Sequence, residues 1–179
     1  KNILKENEAA FENRNHVATP AEFYESYTDR LMTTAFYTAY LKISEGCSNR
    51  CAFCIIPKMR GPMRSRSPES ILAETENLAQ RGVKELNIIS QDTTMYGFDL
   101  AMKDGLIRLL SEMSDVKGVE WIRLLYCYPT FINSDLIDYI ASEEKLCRYI
   151  DVPLQHTHDE ILKSMKRQET EGDVRKMLD

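Results

Sequence analysis

Apolar residues recur along this chain with two alternating periods. Tyr37, Ala39, Leu41 and Ile43 alternate with Thr38, Tyr40, Lys42 and Ser44, the period of a half-buried strand. Ser67-Pro68-Glu69 then predicts a helix start, with Ser67 as cap and Pro68 in the first turn. Ile71, Leu72, Thr75, Leu78 and Ala79 make its apolar face, and Gly82 ends it. Residues 83–90 predict a second strand, apolar enough to be covered on both sides. Leu106, Ile107, Leu109, Leu110 and Met113 predict a second helix, and residues 119–127 a third strand stopped by Pro129. Ser134-Asp135 caps a third helix facing inward through Leu136, Ile137 and Ile140. Residues 149–154 and 159–166 supply a fourth strand and a fourth helix. Two stretches stand apart: residues 1–34, polar and without period, predict an arm or linker, and residues 57–66 are too rich in Pro, Gly and Arg for regular structure.

Four strand-helix alternations with short connections imply parallel strands and right-handed crossovers, hence an α/β fold. A barrel, a partial barrel and a doubly wound sheet all fit that pattern. The partial barrel is favoured because Cys47 to Cys54, Ser90 to Thr94, Tyr128-Pro129 and Gln155-His156 all follow C-terminal strand ends. That rim is where barrel enzymes carry their active sites.

At 179 residues and 43% hydrophobic, the chain supports one sizeable core. A formal net charge of -5 argues against a whole-surface nucleic-acid or membrane binder. Five cysteines, three of them clustered, point to a metal or redox role in a reducing compartment rather than a disulfide framework, and so to the cytoplasm. No apolar run is long enough to span a membrane. The first residue, Lys1, predicts a piece of a longer protein.

The candidate chemistry centres on Cys47, Cys51 and Cys54, spaced C-x-x-x-C-x-x-C after the first strand. Thiolates are the soft ligands of iron-sulfur clusters and zinc. Three are one short of a closed structural site, so a position is kept open or a fourth ligand comes from elsewhere. For zinc, His156 or His158 could be that fourth ligand. Ser90, Gln91 and Asp92 suit a capping turn. Arg123, charged within a mostly apolar strand, needs a partner, either a cofactor carboxylate or a neighbouring acid. Arg60, Arg64 and Arg66 read first as a solvated loop and second as a basic patch that steers a substrate. Cys127 and Cys147 read as core or partly buried thiols with no assigned role.

The C-x-x-x-C-x-aromatic-C pattern, with Phe53 as the aromatic, resembles the signature of radical S-adenosylmethionine enzymes. Residues 40–47, Cys54-Ile55-Ile56-Pro57 and Arg60 to Arg66 resemble the methylthiotransferases within that superfamily. Two branches compete, one modifying tRNA adenosine and one modifying a ribosomal protein. Ser90 to Gly97, Trp121 to Leu124 and Asp151 to His156 resemble the second.

The resemblance covers about residues 35–167. It implies a radical domain over residues 35–179 in which Cys47, Cys51 and Cys54 hold a 4Fe-4S cluster. S-adenosylmethionine would chelate the open iron, with Phe53, Ser90, Gln91, Asp92, Arg123 and Gln155 as cofactor contacts. It implies methylthiolation at the β-carbon of an aspartate in small-subunit ribosomal protein number twelve, fed by an electron-donor protein. It also implies a second 4Fe-4S cluster in an N-terminal domain, RNA contact through a C-terminal module, and further barrel units. A resemblance of residues 169–173 to a more distal family motif predicts a missing segment near 167–169.

Overall fold

A computed structural model describes residues 31–179. Most of the arm expected over residues 1–34 therefore lies outside the described residues. Among these the chain forms a four-stranded parallel sheet of β1 (Thr38–Lys42), β4 (Glu85–Ile89), β5 (Trp121–Leu124) and β6 (Leu146–Ile150). A short antiparallel pair, β2 (Ser44–Glu45) with β3 (Arg64–Ser65), stands beside it. The helices are α1 (Ile56–Arg60), α2 (Pro68–Gln80), α3 (Gly105–Ser114), α4 (Ser134–Ser142), α5 (Asp159–Ser164) and α6 (Glu171–Leu178).

The main sheet runs β1-β4-β5-β6, adding each new strand at the same edge. A doubly wound sheet reverses direction at a switch point, whereas this order is that of a barrel wall. Register explains how one face became core. Ala39 aligns with Leu86 and Ile122, and Leu41 with Ile88 and Leu124, all of them buried. Ile71 and Leu78 of α2, and Leu109, Leu110 and Met113 of α3, complete that layer. Each such side chain contributes about 1.5–3 kcal/mol on leaving water.

The opposite face carries Tyr40, Asn87 and Arg123 side by side in register. The second strand was expected to be covered on both sides. Instead it alternates, because Asn87 turns to the open face while Leu86 and Ile88 turn inward.

Local signals placed most elements. Ser67 Oγ caps α2 by accepting from Ser70 N at 3.3 Å. The cap of α4 is Asn133 rather than Ser134, its side chain accepting from Leu136 N at 2.9 Å. The stretch 57–66, expected to be irregular, contains most of α1 and all of β3, with Pro57 tolerated in the first helical turn. Helix α6 was not expected; a capping box between Thr170 and Asp173 starts it. Between α5 and α6 the chain makes a tight turn in which Arg167 and Glu169 pair at 2.5 Å, both nearly fully buried.

Candidate metal centre

The cysteine loop leaves the sheet where β1 ends. Ile43 N still bonds to Ile89 O at 3.1 Å, and β2 then carries the chain to Gly46. Gly46 has φ +81°, and a Cβ there would lie 2.3 Å from the Pro62 carbonyl oxygen. Only glycine lets the two backbones meet that closely. The loop is further tied by Cys47 N to Gly61 O at 3.1 Å, Met63 N to Ser48 Oγ at 3.2 Å, and Ala52 N to Met165 O at 2.8 Å. A turn closed by Cys54 N to Cys51 O at 3.1 Å brings the last two cysteines round.

Cys47 is buried, whereas Cys51 and Cys54 are partly exposed. Burial pushes the Cys47 thiol above its ordinary pKa, and the Asp92 carboxylate pushes the same way. Cys51 and Cys54 line a hollow of about 400 Å³ with Arg50, Phe53, Lys58 and Lys166. Among the described residues no three His, Cys, Asp or Glu side chains converge at metal-holding distance. The donor set nevertheless fits an iron-sulfur cluster. Three thiols share one pinned loop beside an open hollow, and on the next strand end Gln91 Oε1 is buried with no hydrogen-bond partner.

The other sequence candidates divide. Ser90 is buried and its Oγ accepts from Asp92 N at 3.0 Å, as in a capping turn. Asp92 is 1% exposed. Its Oδ1 accepts from Thr94 Oγ1 at 2.6 Å and its Oδ2 from Asn49 Nδ2 at 2.7 Å, so both oxygens are engaged within the protein. Burial raises its pKa despite these bonds. Arg123 has an acid for a partner, Glu85 at 2.9 Å, and lies over the Tyr149 ring. Phe53 stands 56% exposed at the hollow. Gln155 is exposed after β6 with φ +65°.

His156 and His158 bond to each other, His158 N donating to His156 Nδ1 at 2.9 Å, and both are exposed. The arginines expected as a solvated loop require a correction at Arg66. It is 5% exposed and pairs with Glu74 at 2.6 Å, because β3 carries it under α2. Arg60 is exposed and lies 3.5 Å from Glu45.

Three contributors escaped the list of sequence candidates. Asn49 sits inside the cysteine motif, and its side chain bonds to Asp92. Tyr128 marked a strand end, and its hydroxyl lies 4.0 Å from Cys51 Sγ. Arg167 places Nη1 3.9 Å from the same sulfur. Nothing local signalled it, since 116 positions separate the two.

Comparison with known proteins decides the family. The Radical SAM superfamily model matches residues 41–179. The chain belongs to that superfamily. Its members use a 4Fe-4S cluster and S-adenosylmethionine. A relative from Pelobacter propionicus, named ribosomal protein uS12 methylthiotransferase RimO, is 48% identical over 176 residues, covering 98% of this chain and 39% of the relative. A protein of the same name from Clostridium kluyveri is 55% identical over 145 residues, covering 81% of this chain and 32% of the relative. The chain thus spans well under half of such relatives. Among solved structures, the radical S-adenosylmethionine methyltransferase TsrM from Kitasatospora setae, with cobalamin and a 4Fe-4S cluster bound, superposes with a TM-score of 0.60 at 20% identity. That match covers 79% of this chain and 28% of TsrM, and it supports the fold alone. Among the described residues no helix is long and apolar enough to cross a membrane.

Proposed function

We propose that this chain is the radical domain of a methylthiotransferase that modifies the β-carbon of an aspartate in ribosomal protein uS12. The observation that carries the reading is the three-thiol loop on a barrel rim, within a chain 48% identical over 98% of its length to a protein named for that activity. Cys47, Cys51 and Cys54 would hold the cluster. When bound, the cluster and S-adenosylmethionine supply one-electron, hydrogen-abstracting chemistry, and the protein supplies orientation and exclusion of water.

The chain's own residues divide that work. Gly46 and the Asn49–Asp92 bond fix the loop. Gln91, whose side-chain carbonyl is buried without a hydrogen-bond partner, would be the cofactor contact on the next strand end. Phe53 flanks the hollow beside Cys51 and Cys54. Ser90 and Asp92 shape the turn that carries Gln91. Arg123, on the open face and paired with Glu85, and Gln155, exposed after the last strand, would be contacts for the remainder of the cofactor or substrate. An electron-donor protein and the cytoplasm as working compartment follow from the same reading. So do a second cluster in an N-terminal domain and RNA contact through a C-terminal module of the full-length protein.

The test is anaerobic reconstitution of the full-length enzyme, followed by incubation with reductant, S-adenosylmethionine and either uS12 or tRNA. Mass spectrometry of uS12 peptides should show one methylthio group on aspartate. Modification of tRNA adenosine with uS12 unchanged contradicts the reading.

A further inference from the structure

The turn between α5 and α6 delivers a cation to a cysteine sulfur. The Arg167 guanidinium is fixed on every edge. Nε donates to Glu169 Oε1 at 2.5 Å, Nη2 to the Pro153 carbonyl at 2.9 Å, and Nη1 points at Cys51 Sγ, 3.9 Å away. Its plane lies over the Tyr128 ring, 4.0 Å from the centroid, and the Tyr128 hydroxyl reaches the same sulfur at 4.0 Å. The Arg167 side chain is 3% exposed.

Burying an arginine is costly unless each N–H has an acceptor. A neutral thiol is a weak acceptor, so the Nη1 arm is poorly matched to Cys51 as a free cysteine. A sulfur carrying the negative charge of a metal-bound thiolate is a much better match. Glu169 takes the Nε side, so it does not stand between the charge and the sulfur. Donors aimed at ligand sulfurs stabilise the more negative, reduced form of an iron-sulfur cluster and so raise its potential.

We propose that Arg167 and Tyr128 donate to the Cys51 sulfur of the bound cluster and hold its reduction potential up. Arg167 is then a positioning residue for electron entry, acting through Cys51. The proposal rests on the reading that Cys51 is a cluster ligand.

The experiment is an EPR-monitored redox titration of the anaerobically reconstituted full-length enzyme, following the signal that changes when S-adenosylmethionine is added. That choice separates the open-iron cluster from any other. Tyr128→Phe should retain the parent's iron content and shift the midpoint to a more negative potential. The paired substitution Arg167→Met with Glu169→Met removes both charges together, avoiding an unpaired buried ion, and should give a larger shift in the same direction. Arg167→Lys, which keeps the charge but loses the planar fork, should fall between the parent and the paired substitution. A midpoint unchanged or raised in Tyr128→Phe and in the paired variant overturns the proposal. If the paired variant does not fold, Tyr128→Phe decides alone. Failure of the underlying reading looks different: Cys51→Ala would keep the S-adenosylmethionine-sensitive signal.

Discussion

Asn49 Nδ2 donates to Asp92 Oδ2 at 2.7 Å, tying the middle of the cysteine loop to the end of the second strand of the main sheet. The bond is buried and spans 43 positions, so it holds two rim elements together rather than shaping one turn. Hydrogen bonds to charged groups contribute about 1.5–3 kcal/mol. Asn49→Ala and Asp92→Ala should each lower stability by an amount of that order. A double-mutant cycle by urea denaturation should show the two effects to be non-additive. Both variants should also retain less iron after reconstitution, measured per protein against the parent.

Gly46 carries a steric demand that no other residue meets. Gly46→Ala places a methyl group 2.3 Å from the Pro62 carbonyl oxygen, on backbone with φ +81°. Strain of this kind costs about 1–3 kcal/mol before the clash is counted. The variant should lose cluster incorporation, read from iron content, while far-UV circular dichroism stays close to that of the parent.

The Arg66–Glu74 pair is buried on both sides and is reinforced by Arg66 Nη1 to Lys42 O at 2.7 Å. Removing one partner of such a pair costs about 3–5 kcal/mol, because the other charge is left stranded. Arg66→Met should therefore be strongly destabilising by denaturant titration, whereas Arg60→Met, at an exposed site, should change stability little.

Helix α6 offers a pH test. Hydrogen bonds from the Thr170 side chain and backbone hold the Asp173 carboxyl below its ordinary pKa of 3.8. A depressed acid stabilises the folded state above the unfolded value, and that contribution is lost as pH falls through the folded value. Amide protection in α6 should fall as pH drops below about 3.8, and Asp173→Ala should show reduced protection already at neutral pH. Protection in α6 that is independent of pH across that window contradicts the capping account.

The parts of this fold that were legible in the sequence are those fixed by local chemistry. Alternation placed Thr38–Lys42, Ser67 and Pro68 placed the start of α2, and the position of polar groups after strand ends pointed to a barrel-type rim. What escaped depended on distant partners. Arg66 resembled a loop residue because Glu74 sits on the next helix, out of sight of any local pattern. Asn87 lay in an apolar run, and only the register with Tyr40 and Arg123 shows that it faces the open side. Arg167 had no periodicity or motif to mark it, since its partners Cys51, Tyr128 and Pro153 come from three other segments.

The most direct measurement is the iron and S-adenosylmethionine chemistry of the anaerobically reconstituted full-length enzyme, compared with the same protein carrying Cys47→Ala, Cys51→Ala and Cys54→Ala. The account predicts an S-adenosylmethionine-sensitive 4Fe-4S EPR signal and reductive cleavage of S-adenosylmethionine in the parent, both abolished in the triple variant. A colourless parent with stoichiometric zinc and no cleavage, or a triple variant that keeps the signal, would contradict it.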